Sequence, residues 1–116
     1  MSFTDLKVWN KAHSLVLEIY KVTRKFPQEE KFGLTQQIRR AAVSIMANIA
    51  EGTKRRSDRD FGHFLNIAEG SLEEVKCYII LSQDLNYIDN GIFLDLFSMS
   101  EEIGKMLQGL IKKLTT

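Results

Sequence analysis

The feature that most constrains this chain is the spacing of its apolar residues, which recur every three or four positions almost from end to end. That spacing keeps one side of an α-helix apolar, and no stretch shows the sustained alternation a half-buried strand needs. In the first segment Val8, Ala12, Leu15, Ile19, Val22 and Phe26 form one row, with Leu6, Trp9, His13, Val16, Tyr20 and Thr23 beside it. Two adjacent rows make a face wider than a coiled-coil seam, as a helix inside a bundle requires. Thr4 or Asp5 can cap its start. Phe26-Pro27 marks its end, because proline disfavours helical geometry in the residue before it.

The second segment carries Leu34, Ile38, Ala41, Ala42, Ile45 and Ile49 and runs toward Gly52, which is expected to close it in a left-handed conformation. A polar TKRRSDRD connection follows, with Ser57 or Asp58 as the next N-cap. Phe61, Phe64, Leu65, Ala68, Leu72, Val75, Ile79 and Ser82 predict the longest helix, reaching about Leu85. Asn86 to Gly91 is the next break. Leu96, Met99, Ile103, Met106, Leu107, Leu110, Ile111 and Leu114 mark a fourth helix. None of these can bury its face alone, so the expected fold is all-α, a single antiparallel up-down-up-down four-helix bundle over residues 1–116. A helix of about 25 residues is roughly 37 Å long, which predicts a rod. Gly62, Gly70, Gly104 and Gly109 fall inside predicted helices, where close helix approach and ordinary tolerance are both open explanations.

Composition narrows the function classes. The single cysteine, Cys77, forms no intrachain disulfide, and its apolar stretch from Val75 to Leu81 predicts a buried, inert thiol. No signal peptide and no apolar run near the roughly 20 residues of a membrane span is visible, so the expected location is cytoplasmic, without membrane contact. No phosphate loop, cysteine pair or nucleophile elbow is present. Asp60-Phe61-Gly62-His63 is one loose copy of the Glu-x-x-His pattern that di-iron bundles need twice, and His13 supplies no second. The expectation is therefore no catalytic residue, metal, cofactor or small-molecule substrate.

Two constellations stand out. Gln37, Arg40, Ser44, Asn48, Glu51 and Arg55 form a polar stripe on helix two, answered on helix three by Asn66, Glu69 and Glu73. Serine and asparagine are weak helix formers, so a polar interface is expected here, either between helices or between subunits. The second constellation is charge. The formal net charge of +1 divides into +5 over residues 1–60 and −4 over residues 61–116, and all six arginines lie in the first part. Lys54, Arg55, Arg56 and Arg59 gather at the helix two–three connection, beside a helix N-terminus. Phosphate binding and a solvated loop balanced by Asp58 and Asp60 both fit that cluster.

The segments Leu6–Ala12, Phe26-Pro27 through Gly33-Leu34, Gln37–Ile45, Asn48–Gly52, and Phe64-Leu65 with Ala68, Gly70-Ser71 and Glu74 carry a family likeness. Together they resemble the four-helix bundle proteins encoded in intervening sequences of bacterial 23S ribosomal RNA genes. The resemblance implies a left-handed up-down-up-down bundle assembled as a ring-like homopentamer. It extends to the accessory proteins of diversity-generating retroelements, basic pentameric barrels that bind reverse transcriptase and nucleic acid. Carried over, Arg39 and Arg40 match the paired-arginine motif, and Lys54 and Arg55 match the basic positions after the NIAEG motif. The acidic second half departs from the basic retroelement pattern. The expected role is a non-enzymatic, self-associating protein that binds RNA or a ribonucleoprotein through its arginines. The alternative is an assembly module acting through protein contacts alone.

Overall fold

Each apolar stripe becomes a helix face turned inward. The computed structural model describes residues 2–115 and contains α1 (Lys7–Thr23), α2 (Leu34–Thr53), α3 (Asp58–Asp84) and α4 (Asn90–Thr115). Leu15 and Ile19 of α1, Ile38, Ile45 and Ile49 of α2, Leu65, Leu72 and Ile79 of α3, and Ile103 and Leu107 of α4 meet in one core. Each helix packs on the next and α4 returns to α1, while the diagonal pairs stay apart. Paired positions step in opposite directions along neighbouring helices. Ser44 bonds Ser71 while Gly52 lies against Phe61; Gln83 bonds Asn90 while Lys76 meets Glu101. Helices α2 and α3, and α3 and α4, therefore run antiparallel, and the molecule is a rod of 43 × 24 × 20 Å.

Several local expectations are corrected. Thr4 and Asp5 do not cap α1; they belong to a separate 3-10 turn, Phe3–Asp5. There Ser2 Oγ accepts from the Thr4 N–H and Asp5 accepts from the Ser2 N–H. Asn10 then secures the entry by donating to the Thr4 and Leu6 carbonyls, both at 2.9 Å. Helix α1 stops at Thr23, one turn before Phe26-Pro27, although Phe26 still reaches the core. Gly52 does not end α2 in a left-handed conformation: the helix runs through it to Thr53. Its missing side chain instead admits the Phe61 ring. Of the four interior glycines only Gly104 has a neighbour at contact distance, Leu72. Cys77 is exposed, not buried. It lies two residues, about 200° around the helix, from the core position Val75.

Ser57 caps α3 as expected, accepting from the Asp60 N–H at 3.1 Å. At the far end Asn86 takes the left-handed conformation (φ 62°). The Tyr87 N–H then bonds the Ser82 carbonyl and the Asn86 N–H the Gln83 carbonyl, both at 2.9 Å. These two bonds make a Schellman closure. Helix α4 begins at once, so Asn90 and Gly91 lie within it. Buried Ser82 and Ser100 donate to the carbonyls four residues back, which satisfies their hydroxyls inside the helix.

The two connections at one end of the rod are clasped together. Tyr87 donates its phenol to Glu30 Oε2 at 2.8 Å, and Glu30 Oε1 accepts from the Leu34 N–H at 3.1 Å at the start of α2. The Leu34 N–H and then the Tyr87 hydroxyl hold the Glu30 carboxyl below its usual range, and the same contact raises the Tyr87 phenol. For Glu30 the folded pKa is depressed. Its contribution is therefore present above the ordinary carboxylate range and is lost as pH falls through the folded value. For Tyr87 the folded pKa is raised, so its contribution holds below the ordinary phenol range and disappears above it. Thermal melts across pH should show Tyr87→Phe less stable than the parent at neutral pH, with the gap closing in acid. A gap independent of acid pH would rule out the carboxylate as acceptor.

Candidate functional site

Helix α2 turns its polar residues toward both of its neighbours. The Arg39 guanidinium turns to α1: its Nε donates to the buried Thr23 hydroxyl at 2.8 Å, and the group lies 4.4 Å from the Tyr20 ring centre. Thr23 itself donates to the Ile19 carbonyl at 2.7 Å. Ser44 turns to α3, its hydroxyl 2.8 Å from that of Ser71, and Asn48 donates to the Ser44 carbonyl and hydroxyl. The polar seam is thus built between helices within one subunit. Gln37 and Arg40 border its outer end together with Ser71 and Glu74.

The helix-three partners expected for this stripe go elsewhere. Glu69 and Glu73 line the cleft between α3 and α4, where Lys76 bonds Glu73 at 3.1 Å and approaches Glu101 at 3.8 Å. Ser71 and Glu73 are about 200° apart around α3, so they serve opposite neighbours. Asn66 is exposed in the turn before Glu69. Ser71, outside the stripe the spacing predicts, is the seam's residue on α3. Its signal was a lone hydroxyl at core spacing between Ala68 and Val75.

The arginine positions separate into two groups. Arg40 is about 21 Å from Lys54 along the α2 axis, fourteen residues at 1.5 Å each. Lys54, Arg55 and Arg56 on the α2–α3 connection and Arg59 in the first turn of α3 are all exposed. Arg55 bonds Glu51 at 3.2 Å and lies 5.1 Å from the Phe64 ring centre. Among the described residues, Lys54, Arg56 and Arg59 have no carboxylate within ion-pair distance. Asp58 and Asp60, offered as balancing charges, occupy the first turn of α3, where they complement the helix dipole. Exposed guanidinium forks free of carboxylates suit phosphate oxygens. His63 is exposed and edges the Phe64 ring, while His13 stacks on Trp9. No helix among the described residues is long and apolar enough to cross a membrane.

Arg39 therefore has a structural job. Arg39→Ala should cost about 1–2 kcal/mol, from a charge-assisted hydrogen bond and a ring contact. That amount lowers the melting temperature by several degrees. Arg39→Lys should recover little of it, since an ammonium lacks the planar fork. Differential scanning calorimetry of the two variants checks this.

Comparison with known proteins agrees with this fold. A family model described as 23S rRNA-intervening sequence protein matches residues 4–109. A solved structure from Bacteroides thetaiotaomicron, titled a protein with unknown function from the S23 ribosomal protein family, is 29% identical. The match covers 90% of this chain and 98% of that one, with a TM-score of 0.84. No curated protein matches the chain.

Proposed function

The chain belongs to the 23S rRNA-intervening sequence protein family, and from that premise we propose a non-enzymatic, self-associating bundle that holds RNA through its α2–α3 connection. One observation carries the reading: Lys54 and Arg56, in a connection of only four residues between two helices, and Arg59, in the first turn of α3, are exposed and free of carboxylate partners among the described residues. Arg55 stands among them with only the exposed Glu51 as its ion-pair partner, a surface pair that a phosphate can displace at small cost. A short connection between rigid helices holds the charges close together, so RNA meets them without ordering a long loop. Recognition in this reading is of phosphates, largely independent of base sequence, and takes place in the cytoplasm. Self-association, a pentamer by family resemblance, would multiply the charge that one polarised subunit offers. Arg40 adds a second, weaker contact some distance along α2, and Arg39 contributes through the fold.

Filter binding of a structured RNA over a range of salt tests the proposal. If four cations each neutralise one phosphate, affinity should fall about 50- to 150-fold between roughly 50 and 200 mM salt. No retention at low salt by a protein confirmed to be oligomeric would overturn the RNA reading in favour of an assembly module acting through protein contacts.

A further inference from the structure

Two open grooves flank α1, and their chemistry is complementary. Between α1 and α2, Tyr20, Phe32 and Val43 are exposed and accompanied by Lys31, Arg39 and Arg40, with no carboxylate in the lining. Phe32 is 80% exposed. Between α1 and α4, Leu17 and Met99 are accompanied by Glu18 and Asp95, with no cation in the lining. Leu17 is 58% exposed, and Leu94, one helical turn before the lining residue Ser98, is 56% exposed. The grooves are similar in volume, about 560 and 600 Å³.

We infer that the basic groove of one copy receives the acidic groove of the next. Burial of Phe32 against Leu17 and Leu94 drives the contact, and opposite charges set its orientation. The surfaces differ, so the contact is head-to-tail; such contacts generate rings where the rotation closes and filaments where it does not. Their placement favours closure. The basic groove occupies the first half of α2 and the acidic groove the first third of α4, both toward the end where Glu30 meets Tyr87. Copies therefore join side by side at one level, with axes parallel. The grooves lie on adjacent sides of the bundle, about a quarter turn apart for four helices packed in a square. That angle closes a small ring with α1 at its inner corner. This inference rests on the reading that the chain self-associates, and it names the surfaces responsible.

The test uses two variants at exposed positions, Phe32→Ser for the basic groove and the pair Leu17→Ser with Leu94→Ser for the acidic one. Circular dichroism verifies that both keep the fold, and sedimentation gives their masses. The parent should be a defined oligomer, each variant should fall to the 13.3 kDa chain, and an equal mixture should stop at two copies. In that mixture one intact groove of each kind remains. A parent oligomer whose mass either variant leaves unchanged overturns the inference alone. A monomeric parent overturns both the inference and the self-association it rests on. If Phe32→Ser keeps the parent's mass but loses RNA affinity, the groove belongs to RNA and the inference fails.

Discussion

Replacing Gly52 with leucine should destabilise the bundle by about 3 kcal/mol, at the upper end of what overpacking costs. A Cβ at this position would lie 2.8 Å from Cδ1 of Phe61 and 3.1 Å from Cβ of Phe64. The Phe61 ring can swing aside, but the Phe64 Cβ moves only with the backbone of α3. The α2–α3 contact is the most extensive in the molecule, so a shift there propagates into the core at Ile49 and Leu65. For a domain of this size the loss corresponds to a fall of roughly 10–15 °C in melting temperature. Gly70→Ala is the contrast. Nothing lies within 4 Å of a Cβ built there, so only helix propensity operates, and stability should rise by about 0.5–1 kcal/mol. Calorimetry of the two variants separates close packing from backbone entropy. If Gly52→Leu melts with the parent, Phe61 and Phe64 do not depend on the glycine.

The same residue shows what could be read in advance and what could not. Periodicity located all four helices because each core row is set by local spacing, and the rows around Leu15, Ile45, Leu72 and Ile103 all face inward. A glycine at the end of an apolar row looks like a helix terminator when the partner helix is out of view. Its role as a gap for Phe61 exists only after α3 folds back. Cys77 fails for a related reason. The run from Val75 to Leu81 is continuously apolar apart from Lys76, yet a 27-residue helix against two neighbours buries only part of its circumference. Val75 and Ile79 are inside, while Cys77, Ile80 and Leu81 are out.

The site divides along the same line. Clustering of Lys54, Arg55, Arg56 and Arg59 is local, so the sequence shows it. The hold of Arg39 on Thr23 spans sixteen residues and joins two helices, so the pair Arg39-Arg40 reads as one basic motif although only Arg40 is exposed. Likewise the polar stripe of α2 is legible, but its partner on α3 reads as Asn66, Glu69 and Glu73 because longer polar side chains stand out and Ser71 does not. Small hydroxyls at core spacing are the better signal for a polar seam between packed helices, because they satisfy each other without a buried charge.

Arg55→Ala, Arg56→Ala and Arg59→Ala combined should therefore abolish most RNA binding while leaving the fold intact. Each phosphate contact contributes about 0.7 to 0.9 to the slope of log affinity against log salt, so losing three makes the slope shallower by roughly 2 to 2.7. Near 0.1 M salt, taking 1 M as the reference, that amounts to roughly 100- to 500-fold weaker binding per subunit engaged. The change also takes the formal charge of the chain from +1 to −2, so the remaining long-range field opposes RNA. Stability should fall by no more than about 1 kcal/mol, from the exposed contact of Arg55 with the Phe64 ring. Arg56 and Arg59 lack ion-pair partners among the described residues, and Arg55–Glu51 is an exposed pair, the kind that contributes little. Arg39→Ala makes the opposite exchange, lowering the melting temperature with little change in slope. Measured side by side, melting and salt dependence separate an arginine that holds α1 to α2 from arginines available to phosphate. Equal slopes for the triple variant and the parent would remove the α2–α3 connection from the interface.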